Sequence, residues 1–359
     1  MSESPQRPSS VLSAVKNPPN PFHRGHLFWD EEPPPRVELK VYEDHSKSIL
    51  SKNESPDLPF TWSLNPYRGC MHACAYCYAR PSHEYLDLGA GTDFDRRIVV
   101  KPDAAALLRA TFDDRKWMGE YVMLSGNTDC YQPLEASYGL TRQCLEVLLE
   151  YRNPCGIITK SGLVTRDVDL LSRLHAVASV GVTLSIPYID PIKARKVEPF
   201  APTPRRRFAA LRALSDAGIP CGVNVAPIIP GLNDEDIPGV LEAAREAGAR
   251  WAGYTLVRLP GPVNAIFEER IRAAFPDRAE RILHRIEDCR GGERSESRFG
   301  LRMRGTGNYW EAIRALFHGA ARRLGFPDEH LVSTPATAAR TFRRPGQAAQ
   351  LDLFGHGTD

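Results

Sequence analysis

Asn65-Pro66-Tyr67-Arg68-Gly69-Cys70-Met71-His72-Ala73-Cys74-Ala75-Tyr76-Cys77-Tyr78 sets three cysteines at Cys-x3-Cys-x2-Cys. Three thiolates on one tight loop suit three irons of a cubane iron-sulfur cluster, because cluster irons are ligated by cysteine and a complete protein set numbers four. The fourth iron stays open. Beside a polar pocket it can chelate the amino and carboxylate groups of a small molecule, whose reductive chemistry then belongs to the cofactor. Two plainer readings use the same residues. A zinc knuckle takes the three cysteines with His72 or His83 as fourth ligand, and Cys74-x2-Cys77 alone makes a redox pair. Zinc sites usually bring two separated ligand pairs, however, and redox pairs open a helix after a strand without another cysteine just upstream.

The surroundings bound the alternatives. A chain of 359 residues with 42% hydrophobic content buries a sizeable core, as one large domain with extensions or as two domains. No apolar run reaches membrane-spanning length, and the Pro- and Ser-rich start has no signal-type apolar core, so a soluble cytoplasmic protein without a membrane partner is expected. Eight cysteines spread over such a length do not make a secreted disulfide framework; a reducing compartment suits a cluster better. The net charge of +2 implies no polyanion. Its distribution says more: positions 290–344 hold eleven arginines against five acids, either a surface for nucleic acid or ordinary solvated helix faces in a chain with no lysine after Lys196.

Residues 1–59 carry scattered prolines and little apolar periodicity, and are expected to form an extended arm anchored through Phe28-Trp29 and Val37, Leu39 and Val41. From Thr61 the rhythm becomes strand, polar loop, helix. β-rich runs stand at 98–100, 121–124, 156–159, 180–184, 223–226 and 254–257, most of them separated by amphipathic stretches at 102–112, 140–151, 166–176, 205–217, 234–247 and 265–274. Such alternation implies parallel strands with crossover helices, an α/β fold built as an open or partial (β/α)6 barrel over 60–290. A basic extension over 291–345 and a tail over 346–359 follow. Reactive groups in these sheets collect at the carboxyl ends of the strands. The sequence puts Ser125-Gly126-Asn127-Thr128, then Thr159-Lys160-Ser161, Ser185 and Ala226-Pro227 at four consecutive strand ends.

The cysteine spacing, with Tyr76 before the last cysteine, resembles the radical S-adenosylmethionine (SAM) superfamily, and the wider run through Tyr78-Ala79-Arg80 resembles its spore photoproduct lyase-related branch. The resemblance implies a [4Fe-4S] cluster on Cys70, Cys74 and Cys77 and SAM as second cofactor. It also implies adenine against the backbone near Tyr76 and against Ala226-Pro227, the methionine amino group at Ser125, Gly126, Asn127 and Thr128, its carboxylate at Lys160, and a ribose hydroxyl at Ser185. The expected activity is SAM cleavage to a 5′-deoxyadenosyl radical by an electron from a donor such as flavodoxin or ferredoxin, acting on nucleic acid in DNA-lesion repair. Radical modification of a protein or small metabolite is the alternative, and a non-catalytic iron-sulfur or zinc protein the third. Cys130, after Asn127-Thr128-Asp129, is a candidate for returning a hydrogen atom to a product radical, as a cysteine does in the resembled lyase. Tyr78, Arg80, Tyr254 and Arg258 are candidates for the substrate mouth, and His83 and Glu84 for bracing the loop.

Near the end, Gln350-Leu351-Asp352-Leu353-Phe354 resembles the pentapeptide with which proteins bind the bacterial sliding clamp. It implies hydrogen bonds from Gln350 and apolar anchoring by Leu351, Leu353 and Phe354 in a groove. Purified clamp is expected to retain the full chain and to lose it when residues 350–354 are deleted; equal retention in a pull-down rejects the motif.

Overall fold

The structure is a computed structural model that describes residues 38–327 and 341–346 and the backbone of 13–15. Eleven strands form among these residues: β1 Ser13–Val15, β2 Lys40–Glu43, β3 Leu50–Lys52, β4 Trp62–Leu64, β5 Tyr67–Arg68, β6 Arg97–Val100, β7 Val122–Leu124, β8 Cys155–Thr159, β9 Val180–Ser185, β10 Cys221–Ile228 and β11 Ala252–Leu256. Helices are α1 Thr92–Arg96, α2 Ala104–Asp113, α3 Glu135–Tyr138, α4 Leu140–Glu150, α5 Val168–His175, α6 Pro191–Val197, α7 Pro204–Asp216, α8 Ile237–Glu246, α9 Val263–Ala274, α10 Ala279–Asp288 and α11 Gly307–Arg323. None is long and apolar enough to cross a membrane.

The main sheet runs β11-β10-β9-β8-β7-β4-β3, its first six strands parallel and β3 antiparallel at the edge. It is a partial (β/α)6 barrel whose edges, β11 and β3, do not pair. Every residue of β7 and β9 is buried, which is why these strands read as short continuous apolar runs: crossover helices cover the outer face and the barrel interior the other. The helices begin where their sequences permit. Pro191 and Pro204 stand at first helical positions, and the Asp190 carboxylate accepts from the backbone N–H of Ile192 at 2.8 Å, satisfying donors that the first turn leaves open.

The run at 98–100 departs from the alternating reading. It is β6, in a separate sheet of order β1-β2-β6-β5, parallel to β2 and antiparallel to β5. Val41, Tyr67, Ile98, Val100, Leu134 and Leu140 form the apolar cluster beneath it. A three-residue apolar run does not say which sheet takes it, and the deciding partner is β2, within a stretch that reads as an irregular arm. The barrel's first strand is instead β4. The small sheet matters to the cysteine loop, because β5 ends directly before Gly69-Cys70.

The basic extension is woven into the fold. Arg290 donates to the carbonyls of Val257, Leu301, Arg302 and Arg304 at 2.7–3.3 Å, and Arg302 pairs with Asp57 at 2.5 Å. The segment between them therefore runs from the carboxyl end of β11 to the turn between β3 and β4, across the unpaired side of the sheet. Tyr254 of β11 packs against Trp310 and Phe317 of α11. Phe342 sits against Phe112 and Tyr151, and Arg344 donates to the carbonyls of Phe112, Asp114 and Trp117.

Candidate functional site

The loop from Gly69 to Tyr78 has almost no regular structure, so its polar backbone groups need partners from elsewhere. The Cys70 N–H donates to the Phe94 carbonyl at 3.0 Å, and the Ala75 N–H to the Val197 carbonyl at 2.9 Å. Two guanidinium groups take carbonyls: Arg80, fully buried, donates to Cys74 O at 2.9 and 3.2 Å, and Arg270 of α9 to Ala73 O at 2.7 Å. Asp95 of α1 holds both arginines, each at 2.7 Å. Arg80 also donates to the carbonyls of Ala90 and Gly91. A buried cation matched in this way rigidifies the loop instead of leaving a charge uncompensated.

Gly69 turns the chain from β5 into this loop. Its φ is +76°, and a Cβ there would lie 2.8 Å from both His83 Cε1 and the Phe94 carbonyl oxygen; only glycine adopts that backbone without strain. The Gly69 carbonyl accepts from Thr128 Oγ1 and from Gln132 Nε2, and Gln132 Oε1 accepts from the Met71 N–H at 3.1 Å.

Cys70, Cys74 and Cys77 are free thiols on this loop, close enough that, beside burial, Cys74 and Cys77 push the Cys70 thiol up and Cys77 does the same to Cys74. Burial pushes the Cys74 thiol up to about 12, so bound metal has to displace its proton. Three thiols on one loop suit a cubane, whose ligands each meet a different iron. The two candidate histidines are engaged elsewhere. His72 is buried with Nδ1 3.4 Å from Asp129 Oδ2, and burial holds it down at about 4; His83 Nε2 bonds Arg97 O at 2.9 Å while its ring packs edge-on against Phe94. His83 thus braces the loop. Glu84 is exposed, and its backbone carbonyl accepts from the Asp87 N–H.

The strand ends gather around the cysteines. At the end of β7, Ser125 holds φ +88°, rare for a residue with a side chain, and its Oγ accepts from the Cys130 N–H. The Ser125 N–H donates to Leu64 O, Asn127 N–H to Asn65 Oδ1, and Tyr78 Oη to Gly126 O at 2.6 Å. The turn at 125–128 is therefore tied to both β4 and the cysteine loop. Thr128 serves that tie through its hydroxyl. At the end of β8, Asp129 accepts from Thr159 Oγ1 and from the Lys160 N–H. The Lys160 ammonium stands 5.7 Å over the Tyr76 ring; burial pulls its pKa down, but Cys74 and Glu198 outweigh this and leave it raised. The Ser185 carbonyl at the end of β9 accepts from Arg207 Nη1 at 2.9 Å. After β10, Asn233 Nδ2 donates to the carbonyls of Pro187 and Pro227.

Three residues of this site carry no sequence signal of their own. Glu198 is fully buried, accepts from the Tyr76 hydroxyl and pairs with Arg207; burial raises its pKa, yet Arg207 and Lys160 together bring it below the usual carboxylate range. The third is Arg270. A lone acid between Val197 and Pro199, and arginines within helices, resemble any surface residue until the fold closes over them.

Other candidates fall elsewhere. Arg80 faces the loop backbone, not the mouth. Tyr254 points at α11, its hydroxyl 3.1 Å from His318 Nε2. Cys130, by contrast, stays beside the strand-end turn, buried in the core with its N–H on Ser125 Oγ and its carbonyl accepting from Thr141 Oγ1. Gln350, Leu351, Leu353 and Phe354 lie outside the described residues. A cavity of about 1230 Å³ opens beside Met71, Ala73 and Ala75 and is lined by none of Ser125, Lys160 or Ser185.

A family model of the radical SAM superfamily matches residues 64–244. The chain belongs to that superfamily. With the family come a [4Fe-4S] cluster and SAM. Relatives include uncharacterised proteins of Mycobacterium bovis and Mycobacterium tuberculosis, each 39% identical over 246 residues, 68% of this chain and 72% of the relative. Another, from Methanocaldococcus jannaschii, is 30% identical over 55% of this chain and 70% of its own length. Among solved structures, a point mutant of spore photoproduct lyase superposes with a TM-score of 0.57 at 16% identity over 79% of both chains. A lyase double mutant with bound AdoMet and dinucleoside spore photoproduct gives 0.53 at 15% identity, over 76% of this chain and 77% of that one. At these identities the likeness is one of fold.

Gly69→Ala, by driving its Cβ into His83 and the Phe94 carbonyl, is expected to lower iron bound per chain several-fold after anaerobic reconstitution while far-UV circular dichroism stays unchanged. Wild-type iron content in that variant contradicts the clamped-loop description.

Proposed function

We propose that this protein is a radical SAM enzyme acting on nucleic acid, with lyase-type repair of a DNA lesion as the reaction. The bound cluster and SAM together supply a 5′-deoxyadenosyl radical for hydrogen abstraction from an unactivated carbon. The chain's residues do the rest. Cys70, Cys74 and Cys77 hold three irons. The Lys160 ammonium, kept charged by its neighbours, orients the methionine carboxylate. The turn at Ser125, Gly126, Asn127 and Thr128 receives the amino group, Ser185 a ribose hydroxyl, and Tyr76 with Ala226 and Pro227 the adenine. The Glu198 and Arg207 pair fixes the Tyr76 ring through its hydroxyl. Electrons come from an external donor such as flavodoxin or ferredoxin.

The observation that carries the nucleic-acid reading is the arginine-bearing segment laid across the unpaired side of the barrel, from the end of β11 to the turn between β3 and β4. A strand of nucleic acid approaching the cysteines from that side meets guanidinium groups first. Support also comes from the Asn65–Arg80 resemblance and from the shared fold with spore photoproduct lyase. A second reading has its own observation. Arg294 pairs with Glu268 and Glu287, Arg298 with Glu296, and Arg314 with Glu311, so much of the positive surplus is matched internally; this favours radical modification of a protein or small metabolite.

The two readings separate in one anaerobic assay. Reconstituted protein with SAM and dithionite is expected to form 5′-deoxyadenosine, faster with ultraviolet-irradiated DNA than with intact DNA, and to convert the lesion. Cys77→Ala removes both activities. Formation of 5′-deoxyadenosine that ignores irradiated DNA sinks the repair reading and leaves the second.

A further inference from the structure

Arg258 follows β11 by two residues, and its guanidinium carbon lies 5.3 Å over the ring of Tyr78. Tyr78 directly follows Cys77, and its hydroxyl reaches the Gly126 carbonyl at the end of β7. Arg258 thus leans from the last strand of the open sheet toward the cysteine loop, at the mouth of the barrel.

Its donors are poorly matched. Nη1 meets Met303 Sδ at 3.9 Å, a weak acceptor, and Nε is buried with no hydrogen-bond partner. Asp57, the acid that acts on it, already accepts from the Gly300 N–H at 2.6 Å and from Arg302 Nε at 2.5 Å. Burial lowers the Arg258 pKa, and Arg302 lowers it further. Arg290, a third cation close enough to feel Arg258, gives its own donors to four backbone carbonyls. The contrast with Arg80 and Arg207 is direct: each of those faces a buried carboxylate and backbone carbonyls. A half-buried guanidinium beside two other cations, its Nε without a partner and its Nη1 on a weak acceptor, is destabilising in isolation and favourable once a planar or tetrahedral oxyanion meets it.

We propose that Arg258 is a substrate-binding residue that grips one phosphodiester group of a nucleic-acid strand at the barrel mouth, setting the reacting nucleotide over Tyr78 and the cysteine loop. The assignment rests on the nucleic-acid reading above, and phosphate is the oxyanion that such a strand presents at every step. The contact is sequence-independent, so it positions the strand and leaves base choice to other groups.

The test uses the full-length reconstituted protein and a fluorescently labelled, ultraviolet-irradiated thymine-rich oligonucleotide, with affinity followed against salt. Arg258→Gln is expected to weaken binding roughly tenfold and to reduce the slope of log K against log salt by about one, the signature of one lost phosphate contact. Arg258→Lys keeps the cation without the fork and is expected to restore the slope with only part of the affinity. Arg109→Gln, at an exposed pair with Glu150 between α2 and α4, serves as the surface control and is expected to match wild type within twofold. Thermal unfolding of each variant is recorded alongside; if Arg258→Gln does not fold, the decision passes to Arg258→Lys, whose wild-type affinity would overturn the forked contact. Binding by Arg258→Gln with wild-type affinity and slope overturns the proposal while leaving the nucleic-acid reading intact. Failure of the wild-type protein to bind the oligonucleotide overturns both.

Discussion

A loop that presents three thiols within a few residues cannot form a backbone ladder of its own, and its carbonyls must be held by something stronger than water. Here two guanidinium groups hold them. Arg80, from the turn just after the third cysteine, and Arg270, from a helix nearly two hundred residues later in the chain, take adjacent carbonyls at Cys74 and Ala73 and share the carboxylate of Asp95. Losing one partner of such a buried set leaves an uncompensated charge, which costs about 3–5 kcal/mol. The clamp therefore couples the geometry of the metal-binding loop to the docking of the last crossover helices.

The strand ends depend on that loop in turn. Thr128 and Gln132 bond the Gly69 carbonyl, Tyr78 bonds Gly126, and Asp129 links the ends of β8 to His72. Glu198 and Arg207 anchor Tyr76 from the far side. A positive φ at Ser125, on the order of 1–3 kcal/mol in strain, persists because these ties over-determine the turn. Strand-end turns and cysteine loop are consequently one unit, and the mouth beyond them is bordered by Tyr78, Arg258 and the segment ending at Arg302.

The sequence reveals the parts of this unit that obey local rules. The cysteine spacing, the apolar runs of β7 to β11 and the polar residues at their ends are all periodic or motif-bound, and the structure brings the cysteines together with Ser125 and Lys160. What stays hidden is long-range. The place of β6 depends on β2, more than fifty residues earlier; the roles of Glu198, Arg207 and Arg270 depend on which side chains the fold buries beside them; and which arginines after residue 290 are matched by acids shows only when Glu268, Glu287, Glu296 and Asp57 are seen to meet Arg294, Arg298 and Arg302. Tyr254 illustrates the same limit, since a tyrosine near a strand end faces either the barrel or its outer helix, and α11 decides.

The central claim is that the cluster held by Cys70, Cys74 and Cys77 keeps one iron free of protein sulfur, on the side where Lys160 and Ser125 stand. Electron paramagnetic resonance of the anaerobically reduced full-length protein, recorded with and without SAM, tests it most directly. A [4Fe-4S] signal whose g values shift on adding SAM is the predicted result; a cluster signal that ignores SAM, or protein that carries zinc in place of iron, contradicts it.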